Sequence, residues 1–238
     1  MTTTQDVSAV RLRGLEFSWP GRTGFALCVS DFDVQVGERV FLFGASGSGK
    51  STLLSLICGV AQPQRGSIEV NGVDLTALNG PSRDRFRANR IGVIFQMFNL
   101  LPYASPLENI LLALAFAPER RRRISDPKAE ALRLTTELGL APDLVENARA
   151  TELSIGQQQR VAAARALIGK PGLVIADEPT SALDAAAQQA FVDLLMRQVN
   201  EVGATLLMVS HDRRLEKSFD RTLDLSQIAI GTQRELCD

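Results

Sequence analysis

The sequence predicts an α/β fold: a parallel-sheet core, an antiparallel β-subdomain at its start, and a helical subdomain inserted midway. Three observations lead there. The apolar run Arg39–Phe43 feeds directly into the glycine-rich stretch Gly44-Ala45-Ser46-Gly47-Ser48-Gly49-Lys50-Ser51, and helical spacing follows it. From Met97 to about Glu152 strand signals stop and helix signals take over. After Arg160 helix and strand patterns alternate again, as parallel βαβ units require.

Taken in order, Val10, Leu12 and Leu15 to Phe17 form one partly alternating run, and Leu27 to Val36 form a second. Both read as strands, antiparallel to one another. Lys50 to Cys58 places Leu53, Leu54 and Ile57 on one helical face, and Gly59 suits the helix end. Ser67 to Val70 followed by Asn71-Gly72 reads as a strand and a tight turn. Ile91 to Phe95 reads as a further strand. Ser105-Pro106-Leu107-Glu108 combines an N-cap serine, a proline at the first helical position and a glutamate at the third, which is a capping box. Asp126-Pro127 opens another helix, stopped at Gly139. The basic run Arg120 to Arg123 reads as a solvated helix end or loop. Beyond it come a helix from Gln158 to Ile168, a strand from Leu173 to Ala176, a helix from Ala185 to Val202 and a strand from Thr205 to Val209. The expected organisation is one domain, residues 1–238. Residues 1–96 and 153–238 form the α/β core with its β-subdomain, and residues 97–152 form the helical subdomain.

Composition bounds the function without naming it. The chain has 238 residues, 45% of them hydrophobic, enough for one sizeable core in two lobes. A net charge of −1 gives no global attraction to nucleic acid. The three cysteines, Cys28, Cys58 and Cys237, are widely spaced and form no CxxC pair, so they read as reduced thiols. Met1 to Asp6 is polar, and the apolar run Ile110 to Ala117 is far short of the roughly 20 residues that cross a bilayer. The expectation is a soluble chain that reaches a membrane only through a partner.

The glycine-rich stretch fits G-x-x-x-x-G-K-[ST] at every fixed position. Gly44, Gly47 and Gly49 let the backbone wrap phosphate oxygens, and the helix N-terminus adds positive potential. Lys50 is placed to reach the β- and γ-phosphates and Ser51 to bind Mg²⁺. A second pattern is Leu173-Val174-Ile175-Ala176-Asp177-Glu178, an apolar strand ending in two carboxylates. That end of an open α/β sheet is where ligands bind. Asp177 is expected to hold Mg²⁺ through water, and Glu178 to polarise the attacking water as general base.

Leu153-Ser154-Ile155-Gly156-Gln157 resembles the L-S-G-G-Q signature of ATP-binding-cassette (ABC) ATPases. Six motifs stand in that family's order across Val7 to Leu225. The resemblance implies a P-loop NTPase core of the ABC type, working as a homodimer on ATP and Mg²⁺. It implies nucleotide contacts from Gly44, Ala45, Ser46, Gly47, Ser48, Gly49, Lys50, Ser51 and Thr52. It also implies an adenine stack on Trp19, with Phe17 as the competing aromatic. Gln96 would sense the γ-phosphate and Mg²⁺ and link the core to the helical subdomain. His211, the only histidine, would hold the γ-phosphate and orient the water. Ser181 to Asp184 matches the loop that crosses the dimer interface, and Asp184 also reads as a helix N-cap. Ser154, Gly156 and Gln157 would act in trans on the partner's nucleotide. Ile155 departs from the family's usual glycine, and a β-branched residue tolerates positive φ poorly.

Phe95-Gln96-Met97-Phe98-Asn99-Leu100-Leu101-Pro102 and Pro106-Leu107-Glu108-Asn109 resemble the lipoprotein-releasing, macrolide-exporter and cell-division group, the LolD-, MacB- and FtsE-like ATPases. That resemblance implies an integral membrane permease of the FtsX/MacB-like kind as partner, and in export systems a periplasmic adaptor. It implies a peripheral location on the cytoplasmic face of the inner membrane and no nucleic-acid partner. Two readings stay open: the energy-coupling subunit of a transporter or extractor, and a mechanical signalling module acting on a periplasmic or cell-wall process. A DNA-repair or translation ABC protein is disfavoured, because the chain has no second cassette and no long coiled coil.

Overall fold

A computed structural model describes residues 8–20, 26–45, 47–228 and 230–232. Its strands, in chain order, are β1 (Ser8–Phe17), β2 (Ala26–Gln35), β3 (Arg39–Phe43), β4 (Arg65–Val70), β5 (Val73–Asp74), β6 (Ile91–Ile94), β7 (Leu173–Asp177), β8 (Thr205–Ser210), β9 (Arg221–Asp224) and β10 (Ile230–Thr232). They form two sheets. One is antiparallel, in the order β10-β2-β1-β4-β5, and the other is parallel, in the order β6-β7-β8-β3-β9. The fold class is the expected α/β one, a parallel-sheet core with an antiparallel β-subdomain.

Two apolar cores share the parallel sheet. Its strands are covered on both faces, and side chains alternate between them. Phe41, Val174, Ala176, Leu206 and Met208 pack toward the helical side, while Val40, Leu42, Ile175, Leu207 and Val209 pack toward the antiparallel sheet. Helix α1 (Lys50–Ile57) lies in the second core through Leu53, Leu54, Leu56 and Ile57. Gly59 ends it at φ 65°, a left-handed conformation glycine adopts freely.

No apolar periodicity in the sequence announces helix α2 (Gly80–Arg90). It buries only Asn89, so it has no apolar stripe to read. Its start is set by Asn79, whose side chain accepts from the Ser82 amide, and by Pro81 in the first turn. Between β6 and β7 the chain is helical: α3 (Pro106–Ala115), α4 (Pro118–Arg122), α5 (Pro127–Glu137), α6 (Pro142–Asn147) and α7 (Ile155–Leu167). The capping box at Ser105 is formed, with Glu108 N–H on Ser105 Oγ at 3.1 Å and Ser105 N–H on Glu108 Oε2 at 2.7 Å. Helices α8 (Ala185–Val202) and α9 (Leu225–Ile228) complete the chain's helical layers.

Three expectations are corrected. Helix α7 starts at Ile155 rather than Gln158, because Ser154 caps it and Gln157 closes the box. The basic run is not uniformly solvated. Arg121 and Arg122 are exposed, but Arg120 is 3% exposed and donates to the carbonyls of Ile168 and Ala166. Burial pushes its guanidinium down to about 10, with Arg123 adding repulsion. Cys28 is disulfide-bonded rather than reduced, and Cys58 is a free, buried thiol. No helix among the described residues is long and apolar enough to cross a membrane.

Candidate functional site

Three parallel strands end level with one another. Phe43 pairs with Ser210 and Asp177 with Val209, so Gly44, Glu178 and His211 leave the sheet along one carboxyl-end edge. The backbone after β3 turns through Gly47 at φ 80° and Gly49 at φ 100°, conformations that side chains resist. Gly49 caps α1 without any side-chain cap, so the first amides of α1 are left for an anion. Lys50 is 8% exposed, and its ammonium donates to Gly44 O at 2.7 Å and Ala45 O at 3.0 Å. Gly44, Ala45, Gly47, Ser48, Gly49, Lys50, Ser51 and Thr52 thus form one loop-and-helix start, while Ser46 lies outside the described residues.

The two carboxylates have different surroundings. Asp177 Oδ2 accepts from Ser51 Oγ at 3.3 Å, whereas Asp177 Oδ1 is buried with no partner among the described residues. Desolvation raises the Asp177 pKa, the Ser51 hydrogen bond lowers it, Glu178 raises it and Lys50 lowers it. A carboxylate short of a cation, beside a serine hydroxyl and a phosphate loop, fits a hard ion that takes oxygen ligands. No trio of His, Cys, Asp or Glu among the described residues makes a metal cage. The donors seen together there are the Ser51 hydroxyl and the Asp177 carboxylate.

Glu178 stands at φ 47°, a left-handed backbone outside glycine's usual preserve, held by its N–H on Val209 O at 2.9 Å. That conformation brings Glu178 Oε2 to 2.7 Å from His211 Nδ1 and Oε1 to 3.7 Å from Lys50 Nζ. Trp19 donates its indole N–H to Thr52 Oγ1 at 3.2 Å, at the start of α1, and meets Phe17 edge-on at 4.9 Å. Phe17 belongs to the core, which leaves Trp19 the partly exposed ring beside the loop.

Gln96 is exposed, two residues beyond Ile94, whose strand partner Ala176 precedes Glu178 by the same step. Ser154, Gly156 and Gln157 are assembled separately, at the start of α7. Gln157 N–H reaches Ser154 Oγ at 3.3 Å and Ser154 N–H reaches Gln157 Oε1 at 2.8 Å. No hydrogen bond among the described residues joins them to Lys50 or its loop, and a Cβ built on Gly156 would meet nothing within 4 Å. Ile155 occupies the first helical position and is absent from the positive-φ residues, so its branched side chain is not strained there. Asp184 caps α8 by accepting from Ala187 N–H at 2.9 Å.

Sequence reading missed two supports of the segment after Glu178. Gln159, buried in α7, donates to Pro179 O at 2.7 Å, and Gln188, in α8, donates to Thr180 O and Leu183 O at 3.1 Å each. The available signal was a glutamine placed on the apolar face of each helix.

Comparison with known proteins agrees with this fold. The family model for ABC transporters matches residues 28–181. A lipoprotein-releasing system ATP-binding protein LolD of Pseudomonas fluorescens is 39% identical, over 82% of this chain and 84% of its own. An uncharacterised ABC transporter ATP-binding protein of Mycobacterium tuberculosis is 40% identical, over 82% of this chain and 76% of its own. Among solved structures, the ATP-binding cassette MJ0796 is similar in a dimeric post-hydrolysis state bound to ADP and Pi. That likeness has a TM-score of 0.76 at 30% identity, covering 90% of this chain and 93% of that one.

Proposed function

This chain belongs to the ABC transporter family, as an ATP-hydrolysing subunit, and from that membership we propose that it works as an ATP-sandwiching homodimer driving a membrane permease. One observation supports the sandwich above the others. The capped start of α7 presents Ser154 exposed, with Gly156 and Gln157 half-buried beside it, and with no hydrogen bond among the described residues to the chain's own phosphate loop. A γ-phosphate held by Lys50 of one copy is then met by Ser154 and Gly156 of a second, in a two-fold interface. The dimeric state of the similar cassette supports the same arrangement.

In this reading Lys50 and the loop amides bind the phosphates, and Trp19 faces the base. Ser51, Asp177 and Gln96 hold Mg²⁺, which neutralises charge on the phosphates when bound. Glu178 takes the proton of the attacking water, and His211 fixes the carboxylate and the γ-phosphate side of the water. The helical subdomain, residues 97–152, is read as the part that turns as a body.

The lipoprotein-releasing relatives support a permease of the FtsX/MacB-like kind, with the chain peripheral on the cytoplasmic face of the inner membrane. A mechanical signalling module remains the second reading, since its chemistry is the same. Sedimentation of the full-length Glu178→Gln chain tests the sandwich. A monomer without ATP and a dimer with ATP and Mg²⁺ are expected. A sedimentation coefficient unmoved by ATP over a wide protein range sinks it.

A further inference from the structure

The loop carrying Gln96 is closed by two backbone hydrogen bonds, Phe98 N–H to Phe95 O at 3.0 Å and Asn99 N–H to Met97 O at 2.6 Å. Its exit takes an unusual path. Phe98 and Asn99 are consecutive left-handed residues, at φ 57° and 51°. For a bulky side chain this backbone is an outlier that needs outside support. Phe98 is anchored in the helical-side core, and the carbonyls of both residues accept from one guanidinium. Arg165 Nη1 donates to Asn99 O at 2.7 Å, and Nη2 donates to Phe98 O.

We propose that Arg165 is a positioning residue that ties the Gln96 loop to α7, so that movement of the loop on nucleotide binding is passed to Ser154. The inference rests on the reading of Gln96 as the γ-phosphate sensor and adds the link by which its state leaves the site. Arg165 sits in the last turn of α7, ten residues beyond Ile155, or about 15 Å along a helix. That helix is packed against α3 and β6, and one unbroken helix links Arg165 to Ser154 as the kind of rigid element that carries coupling between sites. No ion pair among the described residues involves Arg165, so its fork is spent on main-chain oxygens. Burial lowers its pKa, yet the group stays charged at neutral pH. On its other side the loop is held by Asn109 of α3, which accepts from Leu101 N–H at 2.7 Å and donates to Leu101 O at 3.1 Å. The Gln96 loop is thus strapped between α3 and α7, with Arg165 the strap that reaches the helix bearing Ser154.

The test compares full-length variants for ATP affinity, by a fluorescent ATP analogue, and for kcat. Arg165→Gln is expected to keep affinity within about twofold while kcat falls about tenfold, the mark of an interaction used after binding. Adding Asn99→Gly removes the side chain's resistance to a left-handed backbone, and is expected to restore kcat about threefold in the Arg165→Gln background. Packing alone is not rescued by that glycine. Should Arg165→Gln fail to fold, Arg165→Lys keeps the charge but cannot span two carbonyls, and its kcat is expected to fall about threefold. Wild-type kcat in the folded variant, affinity lost in step with kcat, or no gain from Asn99→Gly overturns the tie. Gln96→Ala runs alongside. If it turns over normally the sensor reading has failed, whereas a slow Gln96→Ala beside a normal Arg165 variant sinks the tie alone.

Discussion

Glu178 reaches His211 across 2.7 Å, and it does so from a left-handed backbone at φ 47°. Such a backbone costs about 1–3 kcal/mol and persists only where its surroundings impose it. Here they do. Gln159 holds the next carbonyl, Gln188 holds the one after it, and the Glu178 amide is fixed to Val209. The strain aims a carboxylate at the place where Lys50 and the strand ends converge.

Replacing Glu178 with Gln keeps the shape and removes the proposed base. Turnover is expected to drop at least about 100-fold, the scale of a lost general base, while ATP affinity stays within about twofold. His211→Ala is expected to lose a similar factor, because the carboxylate then loses its 2.7 Å partner. Phosphate release in the complete complex measures both, and wild-type turnover in either variant removes that residue from the chemistry.

Asp177→Asn tests the cation site. Asp177 Oδ1 is a buried oxygen with no partner among the described residues, and it lies beside Ser51. The amide replacement supplies a donor where a cation is expected. The Mg²⁺ concentration for half-maximal activity is predicted to rise at least about tenfold, since a charged ligand is lost at a cost of about 1.4 kcal/mol or more. An unchanged Mg²⁺ titration places the ion elsewhere.

Much of this site was readable, and the reasons are local. The run from Arg39 to Ser51 combines an apolar strand with glycines at positions that need positive φ, and Ser105 and Glu108 make a box within four residues. What stayed hidden depended on distant partners. Strands β9 and β10 have four and three residues, and are made by pairing with β3 and β2 rather than by any pattern of their own. Helix α2 buries one asparagine and shows arginines where periodicity looks for leucine. The left-handed backbone of Glu178 leaves no signal at all, and the glutamines behind it leave only a polar residue on an otherwise apolar helix face.

Arg120 gives a stability prediction. Its guanidinium is buried against the carbonyls of Ile168 and Ala166, joining α4 to the end of α7. Arg120→Ala strands those oxygens and opens a cavity, for an expected loss of about 2–4 kcal/mol in urea unfolding. Arg121→Ala, one residue on and exposed, is expected to change stability by less than about 0.5 kcal/mol. Equal effects from the two would return the whole run to solvent.

The permease surface gives the last prediction. Of the apolar residues after Gln96, the structure buries Phe98, packs Leu100 against the helical-side core, and pins Leu101 through Asn109. Met97 and Tyr103 are left 81% and 76% exposed, as apolar or aromatic groups flanking the loop of Gln96, the proposed γ-phosphate sensor. They are the residues a short helix of a permease has available to cover, in helix-in-groove fashion. Tyr103→Asp introduces a charge that such a helix must desolvate, so recovery of the permease with the tagged ATPase is expected to fall at least about tenfold, or about 1.4 kcal/mol. Folding is expected to change by less than about 0.5 kcal/mol because the side chain is exposed. ATP affinity stays at the wild-type value, since no described contact joins Tyr103 to the phosphate loop. Met97→Asp serves as the independent second variant. If both proteins fold and recover the permease at wild-type yield, the docking surface lies outside this loop.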